Sequence, residues 1–333
     1  MALRLLPWAS EFGAGIEAAV DPAPPQAAEV DAGVEHSRWG AVAPADREPR
    51  ALRIVDGVRR VEAHAMEDGA AAEPDGEGPA LGLFGSLAVG AVAVEPGAPA
   101  RILESTIRLE RCYVATSADA TGRVLPAGRS ELRFRPRHAP NASTPRDLVA
   151  ALNRAMLDEE AVLAAELSAA GEALVLVDGP LRRRRPGERA VGYVKRIHQW
   201  YVGPAERAVA EALAVGERTP LFRIEDRREA GRYAWYARTA ALASRFHPLA
   251  GVVRMECDGD LPVAAASHLA DDATSALPRL VPTAARDPRA PQNLLPVGAL
   301  ERALTHRLGD RRRVRRILIA SVGDEAALAE RSA

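Results

Sequence analysis

The sequence predicts an α/β protein, a mixed β-sheet flanked by helices. Strand-like apolar runs crowd the first half of the chain, one strongly signalled helix sits near the middle, and strands and helices mix thereafter. At 333 residues the chain can bury a large core.

Residues 1–50 are rich in proline, alanine and acids and read as a loosely structured lead-in. Leu52–Asp56 is the first strand, Val58–Met66 returns as a second, and Met66–Pro79, acidic and Gly/Ala-rich, is a loop. Leu81–Val94 and Ile102–Thr116 are long β-prone runs, and Glu131–Arg135 adds another. Thr144-Pro-Arg-Asp147 opens a helix, with Thr as N-cap, Pro at the first position and Asp in the first turn; Gly171 stops it after about Ala169. Five apolar residues, Ala173–Val177, then end in Asp178-Gly-Pro180, the pattern of a strand buried on both faces. Strands follow at Ala190–Lys195, Pro220–Ile224, Tyr233–Ala237 and Gly251–Cys257, with helices at Ala205–Ala214, Pro262–Leu277 and Val297–Leu308. The domain proper is placed at 51–317, leaving 318–333 as a tail.

Net charge is −1, which excludes a uniformly basic nucleic-acid binder, yet the charge is unevenly spread. Arg182–Gln199 holds seven Arg/Lys against Glu188, and Arg302–Arg316 holds seven against Asp310. Such clusters are either phosphate footprints or solvated faces. Of the 44 basic residues only Lys195 is lysine, so either a compact ammonium is required there or it survives by chance. Cys112 and Cys257 are too few and too far apart for a thiol metal site or disulfide framework. The opening Met1–Trp8 has too short an apolar part for a signal peptide, and no run is long enough to span a membrane. A soluble, cytoplasmic protein is expected.

Val-Asp-Gly occurs twice, at Asp56 and at Asp178, in each case after a hydrophobic run. Each pair either makes a simple turn or, if the strands are neighbours, brings two carboxylates to one sheet edge. On the central helix Glu160 is surrounded by Met156, Leu157, Leu163, Ala164 and Leu167, so its carboxylate either turns inward toward a partner or snorkels; Glu159 is the alternative.

Ile54-Val-Asp-Gly-Val-Arg-Arg60, Leu83-Phe-Gly-Ser-Leu-Ala-Val-Gly90, Leu176-Val-Asp-Gly-Pro-Leu181, Val191-Gly-Tyr-Val-Lys195, Trp235-Tyr236, Gly251-Val-Val-Arg-Met-Glu256 and Asp287-Pro-Arg-Ala-Pro-Gln-Asn293, in this order, resemble the NurA nuclease family, in its bacterial branch. The resemblance implies an RNase H-like (Piwi-like) core and metal-dependent hydrolysis of DNA, with two manganese or magnesium ions. It also implies a homodimer docked on a HerA-type hexameric ATPase and work on DNA ends in double-strand-break repair. By position it makes Asp56, Glu160, Asp178 and Asp271 metal ligands, with Asp272 and His268 as alternatives to Asp271. It places Lys195 near the scissile or adjacent phosphate and aligns Tyr236 with a family tyrosine, as a candidate DNA contact. Carboxylates are the expected ligands of such hard ions. Arg182, Arg183, Arg184, Arg185 and His198 are candidate backbone contacts, and Tyr201 a candidate stacking residue. The competing reading is a catalytically silent relative that docks on the ATPase or on DNA ends. A glycosidase built on two carboxylates is disfavoured by an aromatic content of 4%.

Overall fold

The computed structural model describes residues 3–5, 29–44, 50–71, 79–181, 188–195, 197, 200–226, 229–241, 249–282 and 293–332. Arg182–Arg185 and His198 lie outside them. The strands are β1 (Leu3–Leu5), β2 (Glu29–Asp31), β3 (Leu52–Ala71), β4 (Pro79–Val94), β5 (Arg101–Ile102), β6 (Arg108–Ala115), β7 (Arg123–Ala127), β8 (Ser130–His138), β9 (Leu174–Asp178), β10 (Ala190–Val194), β11 (Phe222–Asp226), β12 (Glu229–Arg238) and β13 (Val252–Asp258). The helices are α1 (Pro145–Ala169), α2 (Pro204–Ala212), α3 (Val263–Ala276), α4 (Leu295–Arg307) and α5 (Arg311–Ser332).

One mixed sheet unites the strands in the order β2-β11-β12-β13-β10-β9-β3-β4-β6-β8-β7, with β1 added to β3 and β5 to β4. β9 is central and runs parallel to both β3 and β10. Its first four residues are buried, as expected of a strand covered on both faces. Alternation along the strands sorts the core into two layers. Leu52, Ile54, Leu174, Leu176 and Tyr193 pack with Ala270 of α3 and Leu300 and Leu304 of α4. Val55, Val175 and Val177 face the other way, against Leu148, Leu152, Met156 and Leu163 of α1. No helix among the described residues is long and apolar enough to cross a membrane.

The central helix starts where its sequence says it should. Thr144 accepts a hydrogen bond from the Asp147 N–H, and the Asp147 carboxylate accepts one in return from the Thr144 N–H.

Several segments differ from expectation. β3 is a single strand of 20 residues and passes straight through Asp56-Gly57, where a turn into a second strand was expected. The glycine serves close packing instead: a Cβ on Gly57 would come 2.6 Å from Glu160 Oε1 and 2.9 Å from Met156 Cγ. Asp178-Gly179 does end its strand, and Gly179 has φ +121°, a conformation that side-chain-bearing residues rarely adopt. The lead-in contributes β2, which extends the sheet by pairing with β11. At the other end α5 runs unbroken past residue 317, so the boundary set there falls within one helix.

Candidate functional site: a carboxylate cluster over the central strands

The parallel register of β3 and β9 ends at Val55 opposite Val177, so Asp56 and Asp178 come next, side by side. Both share the strand parity of Ile54 and Leu176, whose side chains lie in the core layer shared with α3 and α4. The two acids therefore project toward that layer, and they are joined by three more groups. Lys195, just beyond β10, donates from Nζ to Asp178 Oδ2 and to Asn293 Oδ1, the latter at 2.6 Å. Glu301, on α4, faces Asp56 closely enough to act on its charge. Glu160 approaches from the opposite layer, its carboxylate lying over Gly57 of β3 where a Cβ would be.

Glu160 is only 2% exposed. Its neighbour Glu159 points outward toward Arg108 and Arg137, both at 3.9 Å. Burial, followed by the charges of Asp178 and Glu160, holds the Asp56 carboxyl well above the usual carboxylate range; Lys195 opposes them, and Glu301 adds a further push. Asp56 Oδ2 is buried and has no hydrogen-bond partner among the described residues. An acceptor in that state is costly, and its presence calls for a missing partner. Tyr193 stands opposite Asp178 in the β9–β10 register, and burial together with that carboxylate keeps its phenol protonated far beyond the usual range.

These donors fit a divalent cation in their chemistry: oxygen ligands of high charge density around an orphaned carboxylate oxygen. As placed, no three His, Cys, Asp or Glu side chains among the described residues converge closely enough to hold an ion. The Lys195 ammonium supplies the local positive charge.

The other expected residues lie elsewhere. Asp271 on α3 is drawn into an ion pair with Arg218, at 2.7 Å, and is not among the groups acting on Asp56. Asp272 pairs with Arg50 at 3.0 Å, and His268 is exposed on the same helix. Tyr236 is fully buried, its ring against Trp200 and Phe222 and its hydroxyl accepting a bond from the Tyr201 N–H, so it cannot stack on a base. Tyr201 is part-buried, with the guanidinium groups of Arg232 and Arg254 set over its ring. β12 turns Tyr236 into the layer with Ala210 of α2, and Trp235 into the other.

Two members of the cluster escaped the sequence reading. Asn293 lies at the end of the Asp287–Asn293 stretch, which was noticed without a role being given to its last residue. Glu301 sits next to Leu300 and three residues before Leu304, both buried, so its carboxylate borders the apolar stripe of α4 just as Glu160 borders that of α1.

The close packing over Gly57 gives a direct test of Glu160. We expect Gly57→Ala to lose about 1–3 kcal/mol of stability through overpacking. Thermal melts would show it, and an alanine variant as stable as wild type would mean that Glu160 need not sit over residue 57.

A family model described as the NurA domain matches residues 112–300. That range contains Glu160, Asp178, Lys195 and Asn293; Glu301 falls just past its end, and Asp56 lies well before its start. The crystal structure of the NurA nuclease from Sulfolobus solfataricus is similar over 86% of this chain and 88% of that one, at 9% identity and a TM-score of 0.47. No curated protein matches the sequence. The family match covers more than half of the 333 residues, and on that ground the chain belongs to the NurA family.

Proposed function

We propose that the chain is a divalent-metal-dependent nuclease that hydrolyses phosphodiester bonds in DNA. The observation that carries this reading is the orphaned Asp56 Oδ2, buried beside Asp178 and within the influence of Glu160 and Glu301. Four carboxylates about one buried oxygen make no sense as packing, since like charges raise one another's energy. They do make sense as ligands. Family membership supports the same reading.

A cation held by Asp56, Asp178, Glu160 and Glu301 would polarise a phosphoryl oxygen and make a bound water acidic enough to attack. The chain's own groups have the remaining tasks. Lys195, fixed between Asp178 and Asn293, places an ammonium where negative charge grows on the phosphate. Asn293 accepts one of its protons and so orients it, leaving the third N–H for the substrate. Tyr193, held neutral, keeps a hydroxyl proton at the floor of the site. Burial excludes bulk water and strengthens these interactions.

An RNase H-like classification of the sheet, a homodimeric assembly, cooperation with a HerA-type ATPase and a role at DNA ends belong to the same proposal, resting on family membership alone.

End-labelled single-stranded and duplex DNA incubated with Mn²⁺, Mg²⁺ or EDTA tests the core of it. Wild type should cleave only with metal, and Asp178→Ala should fall by about a thousandfold or more, the equivalent of several kcal/mol of transition-state stabilisation. Undiminished cleavage by a folded Asp178→Ala would sink this site.

A further inference from the structure

We propose that the elbow between α4 and α5 is a surface for the sugar–phosphate backbone of a nucleic-acid strand, carried on Arg302, Arg312, Arg313 and Arg316. The proposal rests on the nuclease reading for its ligand, but its geometry is independent of the carboxylate cluster.

All four arginines are exposed and, among the described residues, none has a carboxylate within ion-pair distance. Many other arginines of the chain are neutralised: Arg53, Arg60, Arg108, Arg133, Arg137, Arg207, Arg223 and Arg307 each have an acidic partner. Local stability gives no reason for the elbow's charges, and the electrostatics of the helix argue against them. The N-terminus of a helix is its positive end, yet α5 begins with three consecutive arginines and has no acid in its first turn. Arg312 and Arg316, one turn apart, repel each other as well. A polyanion laid across the elbow would relieve both conflicts.

The elbow is also held rigidly. Gly309, with φ +77°, turns the chain sharply between the helices. Arg60 donates to the Gly309 carbonyl at 2.8 Å and to the Leu308 carbonyl at 3.2 Å, and Arg111 donates to the Leu308 carbonyl at 3.1 Å. Glu62, 1% exposed, holds Arg60 from beneath at 2.8 Å and takes a hydrogen bond from Ser86. Val314 and Leu318 anchor the inner face of α5. A surface so fixed is prepaid in entropy for binding. It also continues into the site, because Arg302 follows Glu301 on α4, and Arg60 lies four residues beyond Asp56 on β3.

The test compares two variants of equal charge change by fluorescence anisotropy on labelled single-stranded and duplex DNA, in EDTA so that nothing is cleaved. One carries Arg302→Ala, Arg312→Ala, Arg313→Ala and Arg316→Ala. The control carries Arg129→Ala, Arg133→Ala, Arg135→Ala and Arg146→Ala, exposed positions on the β7–β8 hairpin and at the start of α1. With both folded by thermal melt, the elbow variant should bind at least about tenfold more weakly near 0.1 M salt, and the slope of log K against log salt should shrink by roughly three. The control should bind like wild type. Equal weakening of both variants, or wild-type affinity in the elbow variant, overturns the proposal. Undiminished DNA binding with lost binding to anionic phosphatidylserine vesicles overturns it too, and assigns the elbow to a membrane. Metal-started cleavage is read separately: a wild type that binds DNA but cleaves nothing, beside an elbow variant that has lost binding, refutes the nuclease reading and leaves the surface standing.

Discussion

If the chain is the nuclease proposed above, replacing Asp56 with asparagine will cost it its DNA cleavage and, in the absence of metal, raise its melting temperature. The two effects have one cause. Burial, followed by the charges of Asp178 and Glu160, holds the Asp56 carboxyl well above the usual range, and one of its oxygens has no hydrogen-bond partner among the described residues. Because the folded-state pKa lies above the unfolded one, near 3.9, Asp56 contributes its full stability only below that unfolded value, and the contribution is lost as pH rises toward the folded one. Asparagine has no such dependence. In EDTA the variant should match wild type near pH 4 and exceed it by a few degrees, on the order of one or two kcal/mol, by pH 8. Mn²⁺ should then reverse the order, since a ligand that binds only the folded wild type stabilises it by mass action. Cleavage should fall about a thousandfold, as for loss of a central metal ligand. Differential scanning fluorimetry across pH, with and without metal, gives the whole pattern. An asparagine variant that melts below wild type at pH 8 in EDTA would show that Asp56 is a satisfied structural acid.

What could be read from the sequence was what local chemistry decides. The α1 boundary follows from Thr144, Pro145 and Asp147, whose capping bonds are made within four residues. β9 follows from a continuous apolar run closed by a glycine that needs positive φ. Asp178 was therefore legible as a strand-end acid. Asp56-Gly57 shows the limit. The same dipeptide is a strand end in one place and mid-strand in the other, and the difference lies in Glu160, about a hundred residues away, packed where a side chain on residue 57 would be.

Glu301 and Asp271 show the same limit on helices. Each carboxylate borders a buried apolar stripe, and nothing within α3 or α4 states which of them looks toward Asp56. Tertiary placement decides it: α4 lies over β3, while α3 presents Asp271 to Arg218. β2 was unreadable for a related reason. Glu29-Val-Asp31 has too few residues to signal a strand, and it becomes one by pairing with β11, near which Glu35 is tied to Arg218.

That tie yields the second large effect. Arg218 is 1% exposed and holds Glu35 at 2.8 and 2.9 Å, Asp271 at 2.7 Å and Ser267 at 3.1 Å. Arg218→Met would leave two carboxylates without their countercharge, at a cost of about 3–5 kcal/mol and a fall in Tm on the order of ten degrees. Burial pushes the Glu35 carboxyl up, but hydrogen bonds from Arg218, Ser267 and the Leu221 N–H, with the Arg218 charge, outweigh it and bring it to about 2, from an ordinary 4.5. A depressed folded value means that this stability is present above the unfolded pKa and lost as pH falls from 4.5 toward about 2. Wild type and Arg218→Met should therefore converge in acid and separate near neutrality. Asp271→Asn then decides between the two readings of Asp271. If it serves Arg218, the variant melts lower but cleaves DNA within about threefold of wild type at 25 °C, because no reacting group has been touched. If it were a metal ligand, cleavage would collapse by about a thousandfold with the melting temperature little changed. The geometry favours the first outcome, since the Asp271 Oδ1 that a cation would need already accepts the Arg218 Nε–H.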